Sequence, residues 1–438
     1  MQDVKHGATS FRPLRVQWLA AAASIGVLGN ASVALATDGY FTHGYGMKAK
    51  GRGGASIALT DDAFGGANNP ATIGAADDQL AVGIDLFSPR RESQRSGLGP
   101  GLDGSVDSGS TLFAIPEFAY KHSLRDNLAL GVTLYGNGGM NTDYAGGQFN
   151  CGQGPANMLC GVGRLGVDLS QLIVAPSLAY SVSPGQVLGI APLLAYQRFK
   201  ANGLQAFAGL PGLSSDPANV TNRGYADSTG IGVRIGYFGR ISPQFAIGAT
   251  YAMKTSMSRF KEYAGLFAEH GKFDLPENYG AGVAWNPVAR LTVALDYVRI
   301  NYSKVKSVGT PSLVPAQLGA DNGPGFGWKD VGAWKLGLEY ASSAHWSWRA
   351  GYNHTDNPIG SADVTFNILA PGVVTDHATL GFTHTTASGG QLTVAYMHAF
   401  DHSQQGASIL PAFLGGAPAG SERISMYENS IGIQYAWK

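Results

Sequence analysis

The 438-residue chain carries 30 Lys and Arg against 30 Asp and Glu, with 62 Gly, 10% aromatic and only 14% charged residues. That balance supplies no basic footprint for nucleic acid and no strongly acidic surface. After position 36 no apolar run reaches about 18 residues, which sets aside a bundle of membrane-spanning helices.

The N-terminus reads as an export signal for the Sec pathway. Lys5, Arg12 and Arg15 form a positive region, residues 18–28 a short apolar one, and Ala34-Leu35-Ala36 a small-residue cleavage pattern. Residues 1–36 are therefore expected to be removed, leaving Thr37 first. Residues 37–77 are rich in Gly and Ala, contain Asp61-Asp62 and Asn69-Pro70, and lack strand periodicity. From Leu80, Val82, Ile84 and Leu86 onward, apolar residues recur at every second position. Trp334, Leu336, Leu338 and Tyr340 alternate with Lys335, Gly337 and Glu339; Ile431, Ile433, Tyr435 and Trp437 alternate with Gly432, Gln434 and Ala436. A helix would repeat every 3.6 residues instead.

Alternation alone also fits a soluble sandwich with one face in a core. Three features favour a membrane barrel. Aromatics close the ends of the apolar rows, as interfacial girdles require. The opposite faces are dominated by small and hydroxyl residues with isolated charges. Short turns at 124–127, 183–186, 241–244, 286–289, 342–345 and 386–390 alternate with long stretches near 92–111, 137–168, 203–224, 261–271, 305–328, 359–371 and 403–423. Six turns and seven loops predict an all-β, transmembrane, fourteen-stranded antiparallel barrel over residues 78–438, in the bacterial outer membrane. A barrel of that size has more lumen than its own side chains fill, so residues 37–77 are expected to be an N-terminal hatch. A periplasmic tail is the competing reading. The two cysteines, Cys151 and Cys160, are expected to close a small disulfide in the second outer loop.

The stretch from Gly39 to Ala55 (GYFTHGYGMKAKGRGGA) resembles the mature start of FadL/TodX-type proteins. So do Asp61-Asp62-Ala63, Asn69-Pro70-Ala71 and the run from Tyr135 to Thr142. The resemblance extends to the whole mature chain. It implies uptake of long-chain fatty acids or aromatic hydrocarbons, captured in a groove between outer loops and released sideways through a gap made by a kink in strand 3. Asn69, Pro70 and Ala71 take the place of the hatch motif near that gap, and Gly136, Asn137, Gly138 and Gly139 mark the opening. Tyr40 and Phe41 would line an inner pocket. One departure is the terminal Lys438, which follows the aromatic Trp437 where such barrels end on an aromatic.

An apolar cargo needs an apolar concave surface. Leu204, Phe207 and Leu210, with Phe260, Tyr263, Leu266 and Phe267 at helical spacing, supply candidates for the groove. Packing of loop against loop is the alternative use of the same residues. A carboxylate cargo would select a lumen cation, and Arg234, Lys254, Lys335 and Arg349 fall on the inward register. Inward Asp85, Asp296 and Glu339 are equally able to pair with them. Gly51-Arg52-Gly53-Gly54 follows no strand of a βαβ unit and is not a phosphate cradle. No His/Cys cluster, HExxH or nucleophile elbow is present, so no metal, cofactor or enzymatic activity is expected. The expected partners are a hydrophobic small molecule, outer-membrane lipids and lipopolysaccharide, and the barrel-assembly machinery, with the protein acting as a monomer and without nucleic acid. A general diffusion porin and a surface adhesin or receptor are the other functions weighed.

Overall fold

A computed structural model of the chain describes residues 38–152 and 154–438. The expected export signal lies outside the described residues. Among those described, fourteen long strands run in chain order: β1 (Gln79–Ser96), β2 (Phe113–Arg125), β3 (Leu128–Asn141), β4 (Gly166–Ser183), β5 (Gln186–Asn202), β6 (Ala226–Ser242), β7 (Phe245–Ala252), β8 (Asn278–Val288), β9 (Leu291–Ile300), β10 (Val331–Ala341), β11 (Trp346–Thr355), β12 (Asp376–Thr385), β13 (Gln391–Ser408) and β14 (Ala419–Trp437). Each pairs antiparallel with the next. The last closes on the first, from Leu80 opposite Trp437 to Ser96 opposite Ser421. Closure joins the two outer edges that an open sheet would expose to hydrocarbon.

The predicted turns join β2 to β3, β4 to β5, and so on to β12 and β13, all at one rim. The long loops rise from the other. Outward residues are the apolar rows read from the sequence: Val82, Ile84, Leu86, Leu336, Leu338, Ile431 and Ile433 are all exposed. Trp285, Tyr340, Trp346, Trp348, Tyr435 and Trp437 ring the short-turn end, and Tyr196, Tyr251, Tyr279, Trp334, Tyr352 and Tyr427 ring the other. These are two girdles flanking an apolar band, the surface an outer-membrane barrel presents to lipid. Leu336→Arg should therefore cost roughly 2–4 kcal/mol if the site sits at the bilayer midplane. Urea titration of the barrel refolded in lipid vesicles measures it; a change indistinguishable from zero would place this row away from lipid.

The largest apolar cluster gathers inward wall residues such as Phe87, Phe113 and Leu169 together with the outer loops. It joins Tyr40 and Phe41 to Phe199, Phe207, Phe260, Tyr302, Trp328 and Phe366, so the outer loops fold over one another and over the start of the N-terminal segment. Cys151 and Cys160 are bonded, with Cα atoms 5.6 Å apart, beside a small hairpin of Phe149–Asn150 with Pro155–Ala156.

Candidate functional site: a plugged lumen with an opening in its wall

The expected hatch, residues 38–77, packs mostly buried against inward side chains of the strands. Its pieces are short, a helix at Met47–Gly51, another at Gly65–Asn68 and a 3-10 turn at Pro70–Ala75, because a segment this rich in Gly cannot hold long helices. Inward polar side chains of the wall satisfy its backbone. Asp296 on β9 accepts from the N–H groups of Ser56 and Ile57 at 2.7 and 2.9 Å. Gln434 on β14 accepts from Met47 N at 2.8 Å, and Thr379 on β12 from Gly53 N at 2.8 Å. Buried charges complete the seat. Lys50 Nζ lies 2.7 Å from Asp85 and 2.8 Å from Glu117. Arg52 bridges Asp61 of the hatch and Glu339 of β10 at 2.9 and 2.8 Å. Lys335 holds Asp38 at 2.8 Å. At the short-turn rim Asp78 meets Lys121 at 2.8 Å. Burial raises the Asp78 carboxyl, but the Lys121 ammonium with the hydroxyl and N–H of Ser123 outweighs it and holds the group below the usual carboxylate range.

Among the described residues, β2 and β3 part along their outer halves. β3 pairs with β2 only from Leu128 to Leu134, the last rung being Phe118 opposite Leu134. Phe113–Glu117 of β2 keep their partners on β1 but have none on β3. On its other side β3 stays paired with β4, through a bulge that leaves Asn137 out of register between Gly136 and Gly138. A bulge bends its strand. Here the alternating burial of β3 ends, and Tyr135–Asn141 are buried on both faces. Phe41 of the hatch bridges to Gly138, and Gly139 N donates to Tyr40 O at 3.3 Å. A Cβ on Gly138 would fall 1.8 Å from Tyr40 O, so only glycine allows this approach. Above the gap, Ser108 pairs with Tyr144 and Arg91 donates to the carbonyls of both Asn141 and Ser110. The result is a framed stretch of unpaired backbone in the outer half of the barrel, termed the window.

Three cavities bear on it. One of about 490 Å³ lies among the outer loops, lined by Leu204, Phe207, Leu266, Phe267, Phe326 and Phe366, with Ser307 its single polar side chain. A second, of about 310 Å³, lies beside the window between Tyr40, Phe87, Met140, Trp328 and Ala370. Phe326 to Trp328 and Leu369 to Ala370 form the partition between the two. The third opens at the short-turn rim and is lined by Lys48, Asp61, Asp62, Asp77, Glu339, Arg349 and Lys438.

Residues 32–408 match the family model described as Outer membrane protein transport protein (OMPP1/FadL/TodX). The chain belongs to this family. Members of the OMPP1/FadL/TodX family are outer-membrane transport channels, which places this chain in the outer membrane as a transport protein. Solved structures share the fold. The toluene transporter TodX of Pseudomonas putida is 17% identical, with a TM-score of 0.66 over 90% of this chain and 98% of that one. A FadL homologue of Pseudomonas aeruginosa is 15% identical, TM-score 0.65, over 91% and 99%. The toluene transporter TbuX of Ralstonia pickettii is 18% identical, TM-score 0.62, over 90% and 98%. No curated protein sequence matches the chain.

The expected site residues divide within this OMPP1/FadL/TodX barrel. Leu204, Phe207, Leu266 and Phe267 line the loop cavity together. Phe260 and Tyr263 pack behind it, their rings 5.7 and 4.8 Å from Phe199. Leu210 is half-buried and does not line it. The helical spacing of Phe260 to Phe267 yields only a 3-10 turn at Lys261–Tyr263. Tyr40 and Phe41 part company: Tyr40 borders the cavity beside the window, Phe41 a separate polar cavity near Arg234 and Tyr45. Lys335 and Arg349 point inward but are held by Asp38 and Glu339. Lys254 corrects the inward reading. β7 stops at Ala252, so the alternation ends before Lys254, whose exposed side chain pairs with Asp274 at 3.2 Å. Asn69-Pro70-Ala71 also sits elsewhere than expected. Asn69 donates to Tyr237 O at 2.9 Å, and Pro70 and Ala71 press on Gly189, so the motif rests on β5 and β6. The hatch residues at the window are Gly39 to Thr42.

Proposed function

We propose that this channel admits uncharged hydrophobic molecules, monoaromatic hydrocarbons ahead of fatty acids, and releases them sideways into the membrane. Cargo settles in the loop cavity, passes the partition at Trp328 and Leu369 to the cavity beside the window, and leaves between β2 and β3. The observation that carries the reading is the loss of pairing between Phe113–Glu117 and the outer end of β3. The rim cavity supports it, since an apolar molecule gains nothing from a passage lined by Lys, Arg, Asp and Glu. The preference for uncharged cargo rests on the loop cavity, whose lining includes no cation to meet a carboxylate. The toluene transporters among the solved structures agree with it. We read the protein as a monomeric channel rather than an enzyme. A porin would have no use for a hatch bonded to the wall on every side.

Labelled toluene and labelled oleate, presented to cells that lack their own such channels, test the reading. Expression should speed toluene entry more than oleate entry. Planar bilayers containing the purified barrel should carry little ion current. A large steady conductance would make the protein a porin, and oleate entering faster than toluene would overturn the preference.

A further inference from the structure

Outside the lumen, the lipid-facing surface of β4, β5 and β6 carries a second feature. On β5 the outward row Leu188, Ile190, Pro192, Leu194 and Tyr196 is apolar, and the next two outward residues are Arg198 and Lys200. The neighbouring strands change character at the same height. Leu172 of β4 lies opposite Tyr196, and Ser170 opposite Arg198. On β6, Thr229 lies opposite Tyr196 and Asp227 opposite Arg198. At about 3.3 Å per residue, and allowing for strand tilt of roughly 40°, Leu188 to Tyr196 spans most of the apolar band, so Arg198 and Lys200 emerge at its outer boundary.

Both cations are oriented. The Arg198 guanidinium lies 3.7 Å from the centre of the Tyr225 ring and the Lys200 ammonium 4.7 Å from it. Tyr225 is itself fixed, its hydroxyl donating to Asp168 at 2.5 Å. The other acid nearby, Asp227, accepts from Tyr196 at 2.5 Å. The two carboxylates are thus capped by tyrosines, and neither Arg198 nor Lys200 makes an ion pair with any described residue. A guanidinium stacked on a ring keeps its in-plane N–H groups free for a second partner. Arg223, exposed and also without an ion pair, precedes Tyr225 by two residues. Lys200 further borders an open polar cleft of about 920 Å³ with Thr142, Asp143, Arg164, Asn202 and Asn222.

We propose that Arg198 and Lys200, set on Tyr225, form a phosphate-binding site for the headgroup of an outer-leaflet glycolipid of the lipid A type. The chemistry is that of a phosphate monoester accepting charge-assisted hydrogen bonds from both cations. The position selects a lipid over a soluble anion, because the acyl chains would lie along the apolar row that ends at Tyr196. Asn141 and Thr142, at the end of β3, line the same cleft. A lipid held there stands beside the window and orders the membrane that receives the cargo.

The purified full barrel in detergent, titrated with phosphorylated lipid A, with its dephosphorylated form and with inorganic phosphate, tests the proposal. Phosphorylated lipid A should bind. The dephosphorylated form should bind about tenfold or more weakly, as should the Arg198→Gln/Lys200→Gln double variant, at roughly one kcal/mol per cation. Tyr225→Leu should weaken binding with both charges intact, and heat-modifiable gel mobility should report every variant as folded. Equal binding of lipid A to the wild type and the double variant overturns the site. Full competition by inorganic phosphate at millimolar concentration overturns the lipid as its source.

Discussion

Gly136→Trp and Gly139→Leu, each alone, should reduce uptake of labelled toluene to near background while the barrel still shows heat-modifiable mobility. Both glycines lie on the part of β3 that has left β2, beside the out-of-register Asn137. The ladder to β4 holds this stretch in place, so an added side chain should crowd the unpaired stretch without unzipping the strand. The closure of β14 on β1 is remote from it. Gly138→Ala is a different experiment, since its Cβ would collide with Tyr40 O and displace the hatch as well as narrow the window. Transport at the wild-type rate in both the Trp and the Leu variant would end the lateral route.

Lys50→Met should free the hatch and turn a quiet barrel into a leaky one. The ammonium sits between Asp85 and Glu117, all three side chains being 2% exposed. Removing it strands two carboxylates in the lumen, and breaking a buried ion pair in this way costs about 3–5 kcal/mol. That cost falls on a segment whose helices span only four or five residues and whose other anchors to the wall are two ion pairs, Arg52 with Glu339 and Lys335 with Asp38, and a set of hydrogen bonds. Sustained ion current across planar bilayers, and faster cleavage of the hatch by an added protease, are the expected readouts. Adding Asp85→Asn and Glu117→Gln to Lys50→Met removes the stranded charge and should return the current towards the wild-type level. A triple variant as leaky as the single one would mean that Lys50 holds the hatch by something other than charge.

The wall was legible in the sequence because lipid imposes one rule on every strand. Leu80 to Leu86, Trp334 to Tyr340 and Ile431 to Trp437 could be assigned to the outward face without knowing any partner. The inner side obeys no such rule. Alternation puts Asp85, Asp296 and Glu339 on the inward face and offers lumen bases as their partners. Only Glu339 meets one of those bases, Arg349; Asp85 is answered by Lys50 of the hatch and Asp296 by hatch backbone. The signal was available, since Lys48, Lys50 and Arg52 are the cations of a segment that must fill a lumen containing acids. Gly51-Arg52-Gly53-Gly54, set aside as a phosphate cradle, proves to be part of that anchor. The window was half legible. Gly136 to Gly139 fall on the part of β3 that has left β2, but nothing local states which neighbour a strand has abandoned. Pro116 on β2 hinted at an edge, as proline within a sheet does. Pro89, Pro176 and Pro192 also lie within strands and blunt that hint. The inward expectation for Lys254 fails because the strand, and with it the alternation, ends at Ala252.

The framed gap between β2 and β3 also bears on direction. A hole in a wall has no preferred sense: whatever slips out through it can slip back. On the proposed lateral route the barrel would equilibrate its cargo across the headgroup layer and would not concentrate it, so net inflow would last only while something further in consumes or sequesters the molecule. In a cell without that sink, the same protein would be a liability, hastening saturation of the membrane by any solvent outside. Sensitivity to toluene should then rise with the amount of channel made and fall again when a toluene-consuming enzyme is supplied.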